Sequence, residues 1–221
     1  MPDSLAGGCS FGGMRVNLLM YADDIVLISP TATGLQHMIK RLENYCKTWN
    51  LLVNLRKSKI MVVRKGGKLE KNCKWWYNGE RIEVVNEYKY LGILFTFNLS
   101  WEKHFKEKTK SAKLAINSIW SKLLDNSKVP LSAKLMCYNS VIRAILCYGA
   151  QVWGFINSDI VESVQRNFIK KLFKLPQNTP NYVLYLETFF DNIYMYTANI
   201  NINYLIKVLQ LPDCHLPKIL A

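Results

Sequence analysis

The chain is poor in acid, in histidine and in unbroken apolar sequence. It holds 16 acidic residues against 29 basic ones, and three histidines, in 221 residues. Histidines 37, 104 and 215 share no metal-ligand spacing with the six cysteines (9, 46, 73, 137, 147 and 214), and no two cysteines form a C-x-x-C pair. A zinc ribbon and a redox dithiol are thereby excluded. The neighbours Cys214 and His215 are set aside as an incidental pair. With half the residues hydrophobic, the chain has no need of a disulfide framework, and its cysteines are expected to be reduced and mostly buried. The longest uncharged stretches, such as 144–158, are shorter than a membrane span and contain glycine, glutamine and asparagine. Met1-Pro2-Asp3-Ser4 has neither the basic nor the apolar region of a secretion signal. An intracellular protein, nuclear or cytoplasmic and with no membrane partner, is expected. Internal repeats and low-complexity linkers are missing too.

What is present is a chain long enough for one large or two small cores, with a net charge of +13. The charge is unevenly placed. Residues 1–39 are net −2, and residues 40–74, with eleven basic and two acidic groups, are net +9. The later segments 75–125 and 126–221 are net +2 and +4. A basic segment directly after an acidic one suits a polyanion held beside a metal centre. On charge alone, a solvated basic face with no partner is an equal reading.

The acid of the first segment is concentrated in Tyr21-Ala22-Asp23-Asp24. Apolar runs flank it, Val16-Asn17-Leu18-Leu19-Met20 before and Ile25-Val26-Leu27-Ile28 after, each ended by a breaker. Both runs are expected to be short buried strands joined by a tight reversal. Two ionised carboxylates between buried strands need a counter-charge. Hard divalent cations such as Mg²⁺ take oxygen donors of this kind.

Further along, Leu35, Met38, Ile39, Leu42, Tyr45, Cys46 and Trp49 share one face at helical spacing, which predicts a helix over 31–50 capped by Thr31 or Thr33. Residues 51–63 read as extended. Trp75 to Ile82 predicts a hairpin turning on Asn78-Gly79. Residues 88–97 read as one strand with Gly92 inside it. From Ser100, a plausible N-cap, the spacing is helical: Trp101, Phe105, Ala112, Ile116, Ile119 and Leu123 form one stripe, with Lys103, Lys106, Lys110 and Lys113 opposite. Further helices are expected from Pro130 to about Tyr148, from Ser158 or Asp159 to near Pro176, and over 181–189 and 193–210. The fold class is α+β, with a mixed unit over 1–97 and a helical one over 98–221.

Four blocks in this order resemble the reverse transcriptases of non-LTR (LINE-type) retrotransposons. Met20-Tyr21-Ala22-Asp23-Asp24-Ile25-Val26-Leu27 resembles the family's catalytic hairpin. The helix over 35–49 with Val53-Asn54-Leu55-Arg56-Lys57-Ser58-Lys59 resembles the next palm motif, and Tyr88-Lys89-Tyr90-Leu91-Gly92-Ile93 its primer-grip block. Ile145-Leu146-Cys147-Tyr148-Gly149-Ala150-Gln151-Val152-Trp153-Gly154, with 164–168 and 185–188, resembles the region after the palm.

The resemblance implies an RNA-directed DNA polymerase that adds dNTPs to a primer 3′-hydroxyl by a two-metal mechanism, with Mg²⁺ or Mn²⁺ as cofactor. It implies a partial palm over 1–97 and a thumb-like helical region over 98–221. Asp23 becomes a direct metal ligand and Asp24 the second carboxylate. Tyr21 and Ala22 lie at the nucleotide or primer end. Lys57 serves the triphosphate, with Lys59 competing for that role. Leu91 and Gly92 support the primer, and Lys103, Lys106, Lys110 and Lys113 meet nucleic-acid backbone. The partners implied are an RNA template, a DNA primer and dNTP. The family's upstream palm aspartate and its finger motifs have no counterpart here, since Asp3 lies in an unrelated setting. A fragment with little activity on its own is therefore expected, completed by a missing N-terminal part of the polymerase. The alternative is a non-catalytic, basic nucleic-acid-binding remnant.

Overall fold

Turn chemistry organises the first half of the molecule, and helix amphipathicity the second. The computed structural model describes residues 8–11, 14–69, 73–188 and 190–220. Strands β1 (Cys9–Phe11) and β2 (Met14–Val16) pair antiparallel, as do β3 (Leu18–Tyr21) and β4 (Asp24–Leu27). Helix α1 (Ala32–Thr48) follows, then β5 (Lys59–Met61), β6 (Trp76–Tyr77), β7 (Glu80–Arg81) and β8 (Glu83–Val85). β6 and β7 form the Asn78-Gly79 hairpin, with φ of 50° and 80° at the two turn residues, the left-handed pair that such a turn demands. β5 and β8 pair in parallel, Lys59 opposite Glu83 and Met61 opposite Val85. The last strands, β9 (Glu87–Tyr90) and β10 (Ile93–Thr96), pair with each other.

The chain divides into two compact units. One gathers the described residues up to Tyr88, with Thr96–Leu99 and the stretch from Leu211; the other holds Lys89–Phe95 and Ser100–Gln210. The first unit packs α1 over its small sheets. Ile39, Ile60, Trp75, Tyr77 and Ile82 form its buried centre, with Leu27, Leu35, Val53 and Val84 against them. Each such side chain contributes about 2 kcal/mol by leaving water. Thr31 caps α1 by accepting from the Gly34 N–H at 3.1 Å, and Trp75 Nε1 donates to the Ala32 carbonyl at 3.0 Å. The indole thus fixes the start of the helix.

The helices of the second unit are α2 (Glu102–Ile119), α3 (Leu131–Cys137), α4 (Ala144–Leu146), α5 (Ala150–Trp153), α6 (Asp159–Leu172), α7 (Asn181–Thr188) and α8 (Ile193–Leu209). A short helix α9 (Leu216–Leu220) belongs to the first unit. Their core runs from Phe105, Ala112 and Ile116 of α2 to Val161, Val164 and Phe168 of α6, closing on Leu184 and Ile193. α5 and α8 meet at Gly154, where a Cβ would lie 2.2 Å from the Thr197 carbonyl oxygen. There Thr197 Oγ1 donates to the Gly154 carbonyl at 3.0 Å, and Asn201 Nδ2 to the Gln151 carbonyl at 2.8 Å. No helix among the described residues is long and apolar enough to cross a membrane.

Several expectations need correction. Residues 88–97 are two strands around a turn at Leu91 and Gly92, both at positive φ (47° and 77°), rather than one strand. On α1, Tyr45 and Trp49 are exposed, while Glu43 is buried. Lys40 at 2.8 Å and Lys47 at 2.7 Å neutralise that carboxylate, and Asn78 N–H reaches it at 3.4 Å. These partners hold its pKa down to about 2, Lys40 first and Lys47 next. The strands around Asp23 and Asp24 are largely exposed rather than buried, because β3 and β4 make a two-stranded sheet. The stretch after Pro130 is a helix through Cys137, a π-helical turn over Tyr138–Arg143, then α4, ending at Leu146. The wider turn buries both Tyr138 and Ile142. Trp101, not Ser100, is the N-cap position of α2; Ser100 Oγ accepts from Glu102 N–H at 3.4 Å. Of the cysteines, all free, two (46 and 147) are buried and Cys214 is exposed.

Candidate functional site

At the tip of β3–β4, Tyr21 faces Asp24 across the ladder, leaving Ala22 and Asp23 as the two turn residues. Ala22 has φ of 53°, a left-handed conformation that an L-residue pays for in strain. The reversal places Asp23 on the tip and Asp24 at the head of β4, both exposed. Among the described residues, no lysine or arginine pairs with either carboxylate and no third carboxylate, histidine or cysteine joins them as a ligand cluster. Tyr21 and Met20 are also exposed, at 64% and 65%.

Lys57 sits in a turn built by Asn54. The Asn54 carbonyl accepts from Lys57 N–H at 3.1 Å and from Ser58 N–H at 3.0 Å, and Ser58 Oγ donates to it at 2.9 Å. Asn54 Oδ1 accepts from Lys57 N–H as well, at 3.2 Å. Asparagine and serine at this spacing supply a turn that the backbone lacks on its own. Tyr88 Oη closes it by donating to the Lys57 carbonyl at 3.0 Å. The Lys57 side chain is left exposed. Lys59 differs: its ammonium meets Glu83 at 2.5 Å across the β5–β8 pair, with the lysine side chain 22% exposed.

In the second unit, the Leu91–Gly92 turn rests on Tyr148. Tyr148 Oη donates to the Leu91 carbonyl at 2.8 Å. A Cβ on Gly92 would lie 2.9 Å from the Tyr148 ring, so glycine serves both its φ and the contact. Gly149, at φ 77°, would bring a Cβ to 3.0 Å from Ile93. Two glycine turns distant in sequence are therefore fitted to each other. On α2, Lys103, Lys106, Lys110 and Lys113 are all exposed. Lys106 pairs with Glu102 at 2.5 Å. Lys106, Lys110 and Lys113 line a groove of about 400 Å³ with Thr109, Leu114, Asn117 and Ile160.

Sequence reasoning missed His104, Tyr148 and Glu43 as organising residues. His104 and Glu43 lie on helices among residues of ordinary surface type, and only burial distinguishes them. Tyr148 was signalled by its place beside Gly149.

Residues 3–95 match the family described as reverse transcriptase (RNA-dependent DNA polymerase). The chain is 24% identical over 146 residues to the RNA-directed DNA polymerase from the mobile element jockey of Drosophila melanogaster, covering 63% of this chain and 16% of that protein. It is 26% identical over 168 residues to the RNA-directed DNA polymerase named from transposon BS of the same species, covering 72% of this chain and 18% of the relative. For the one named from the transposon X-element the match is 25% over 191 residues, 80% of this chain and 21% of the relative. The chain thus spans about a fifth or less of the length of these curated relatives. No solved structure matches it significantly.

Proposed function

We propose that this chain supplies the catalytic carboxylates and the strand-holding helical region of a retrotransposon reverse transcriptase, which adds dNTPs to a primer 3′-hydroxyl opposite an RNA template. Residues 1–97 are then part of a palm, and residues 98–221 a thumb-like and C-terminal region. The main support is the pair Asp23 and Asp24, exposed and, among the described residues, without a protein cation at the tip of β3–β4, inside the segment that matches the family.

The donor set fits Mg²⁺ or Mn²⁺. Carboxylate oxygens are hard donors, and two of them leave room for the waters and substrate phosphates that such ions keep. Asp23, on the tip, is the direct ligand and Asp24 the second. When bound, the ions offset the charge that builds on the reacting phosphate and its leaving group. Tyr21 and Ala22 border the place where nucleotide and primer end meet. Lys57, exposed on a turn that Asn54 and Tyr88 hold, neutralises the triphosphate and offers a proton to pyrophosphate as it leaves. Lys59, committed to Glu83, is the weaker candidate for that role. Leu91 and Gly92 support the primer backbone. The α2 lysines hold phosphates without reading sequence.

Primer extension on an RNA template with Mg²⁺ tests this. The chain alone should incorporate little; joined to an N-terminal part that supplies the upstream palm aspartate and fingers, it should show incorporation that disappears in Asp23→Asn, and incorporation that survives in Asp23→Asn contradicts the proposal. A second reading, a nucleic-acid-binding module without catalysis, is favoured by the lysine-lined groove on α2. Duplex binding that weakens steeply with salt, with no extension from any form of the polymerase containing this segment, is its signature.

A further inference from the structure

The Leu91–Gly92 turn is held from behind by two residues that belong to neither the carboxylate hairpin nor the lysine row. His104 is completely buried on α2. Its Nδ1 accepts from the Leu94 N–H at 3.2 Å, on the strand leaving the turn. With Nδ1 an acceptor, the ring proton is on Nε2, which faces the Tyr148 carbonyl at 3.4 Å. Trp153 Nε1 donates to that same carbonyl at 3.0 Å. Tyr148 in turn holds the turn itself, through its hydroxyl on the Leu91 carbonyl and its ring against Gly92. Lys108 Nζ lies over the Tyr148 ring, 4.1 Å from its centre. The turn, the strand after it and α2 are therefore tied together by a chain of contacts running Leu91, Tyr148, His104, Leu94.

We propose that Tyr148 and His104 are positioning residues, which fix the conformation that the Leu91–Gly92 turn presents to a nucleic-acid strand. The use of the turn rests on the functional reading above; the buttress itself does not. Leu91 and Gly92 both sit at positive φ, and leucine does so only under strain. A strained turn persists only when its surroundings over-determine it. Here the surroundings are one hydroxyl, one ring and one imidazole nitrogen.

The experiment uses the full 221-residue chain and two readouts. Amide hydrogen exchange is followed across residues 91–95 in the unaltered chain, Tyr148→Phe, His104→Phe and His104→Asn. Tyr148→Phe keeps the ring on Gly92 and removes one hydrogen bond. His104→Phe keeps the aromatic contacts with Trp101, Phe105 and Trp153 and removes both ring nitrogens. The expected result is exchange faster by roughly tenfold in the turn for Tyr148→Phe and at Leu94 for His104→Phe. Exchange in α6 should be unchanged, and His104→Asn, which retains an acceptor, should recover part of the protection. Unchanged exchange at 91–95, or an equal rise throughout the second unit, overturns the positioning role. Binding to an RNA–DNA duplex with a recessed 3′ end, compared with a blunt duplex of equal length, separately tests the use of the turn. A preference for the recessed end that falls in Tyr148→Phe supports it. If the unaltered chain has no preference, strand support by the turn is refuted, and the exchange result still decides the buttress.

Discussion

Tyr88 donates its hydroxyl to the carbonyl of Lys57 at 3.0 Å across 31 residues of sequence. Two blocks that the sequence shows as separate motifs are one local structure. The tyrosine that opens the Tyr88-Lys89-Tyr90-Leu91-Gly92 block secures the turn on which Lys57 is displayed, and Asn54 secures it from the other side. Removing either partner loosens the lysine without touching its charge. Tyr88→Phe and Asn54→Ala are each expected to cost about 1 kcal/mol in denaturant unfolding, the usual net worth of one hydrogen bond. A double variant whose cost equals the sum of the two would show that they act on the turn independently.

Lys57 and Lys59 should separate cleanly. Lys57→Ala is expected to leave the melting temperature within about a degree, as surface changes do, and to weaken dNTP binding. Lys59→Ala, which strips Glu83 of its partner, should cost up to about 1 kcal/mol and leave dNTP binding intact. Titration of a labelled dNTP against both variants checks this, and the reverse pattern would assign the role to Lys59.

Gly154→Ala is expected to be among the most damaging single changes in the helical unit. Its Cβ would fall 2.2 Å from the Thr197 carbonyl and 2.5 Å from that of Ala150, both backbone atoms that cannot swing aside. A loss of about 3 kcal/mol, read by thermal unfolding, follows from forced separation of α5 and α8. A near-neutral Gly154→Ala would mean that these helices pack differently.

Stability should fall with acid in two windows. Burial lowers the His104 pKa below its ordinary 6.5, with Lys108 and Lys89 adding to the effect and the Tyr148 carbonyl and Glu107 opposing it. The unfolded chain therefore binds the extra proton first, so this contribution is whole above pH 6.5 and shrinks as pH falls below it. Glu43, held at about 2 against an ordinary 4.5, contributes fully above pH 4.5 and is lost as pH falls toward 2. Melting temperature against pH, with His104→Phe removing the upper window and Glu43→Gln the lower, checks both. An unaltered slope in His104→Phe would mean that the imidazole titrates alike in the folded and the unfolded chain.

Periodicity and turn residues made much of this architecture legible. The stripe of α2, the Asn78-Gly79 hairpin and the cap at Thr31 are local signals, and the structure honours them. What was not legible depends on partners far along the chain. Gly92 was placed inside one strand because Tyr148, which it closely approaches, lies 56 positions away. Glu43 has its two lysines at local helical spacing, but its burial and its contact with Asn78 are visible only in three dimensions. Tyr45 and Trp49 satisfied the helical spacing, yet both are exposed. The carboxylates themselves were plain in the sequence, but their exposure was not.

The most direct test of the central claim is paramagnetic broadening of amide signals by Mn²⁺ in the full chain, with an RNA–DNA primer–template and dNTP present. Broadening centred on Tyr21 to Ile25, and abolished in the Asp23→Asn, Asp24→Asn double variant, is the expected result. Broadening that ignores this hairpin, or that is the same in the double variant, would contradict the assignment of Asp23 and Asp24 as the metal-holding pair.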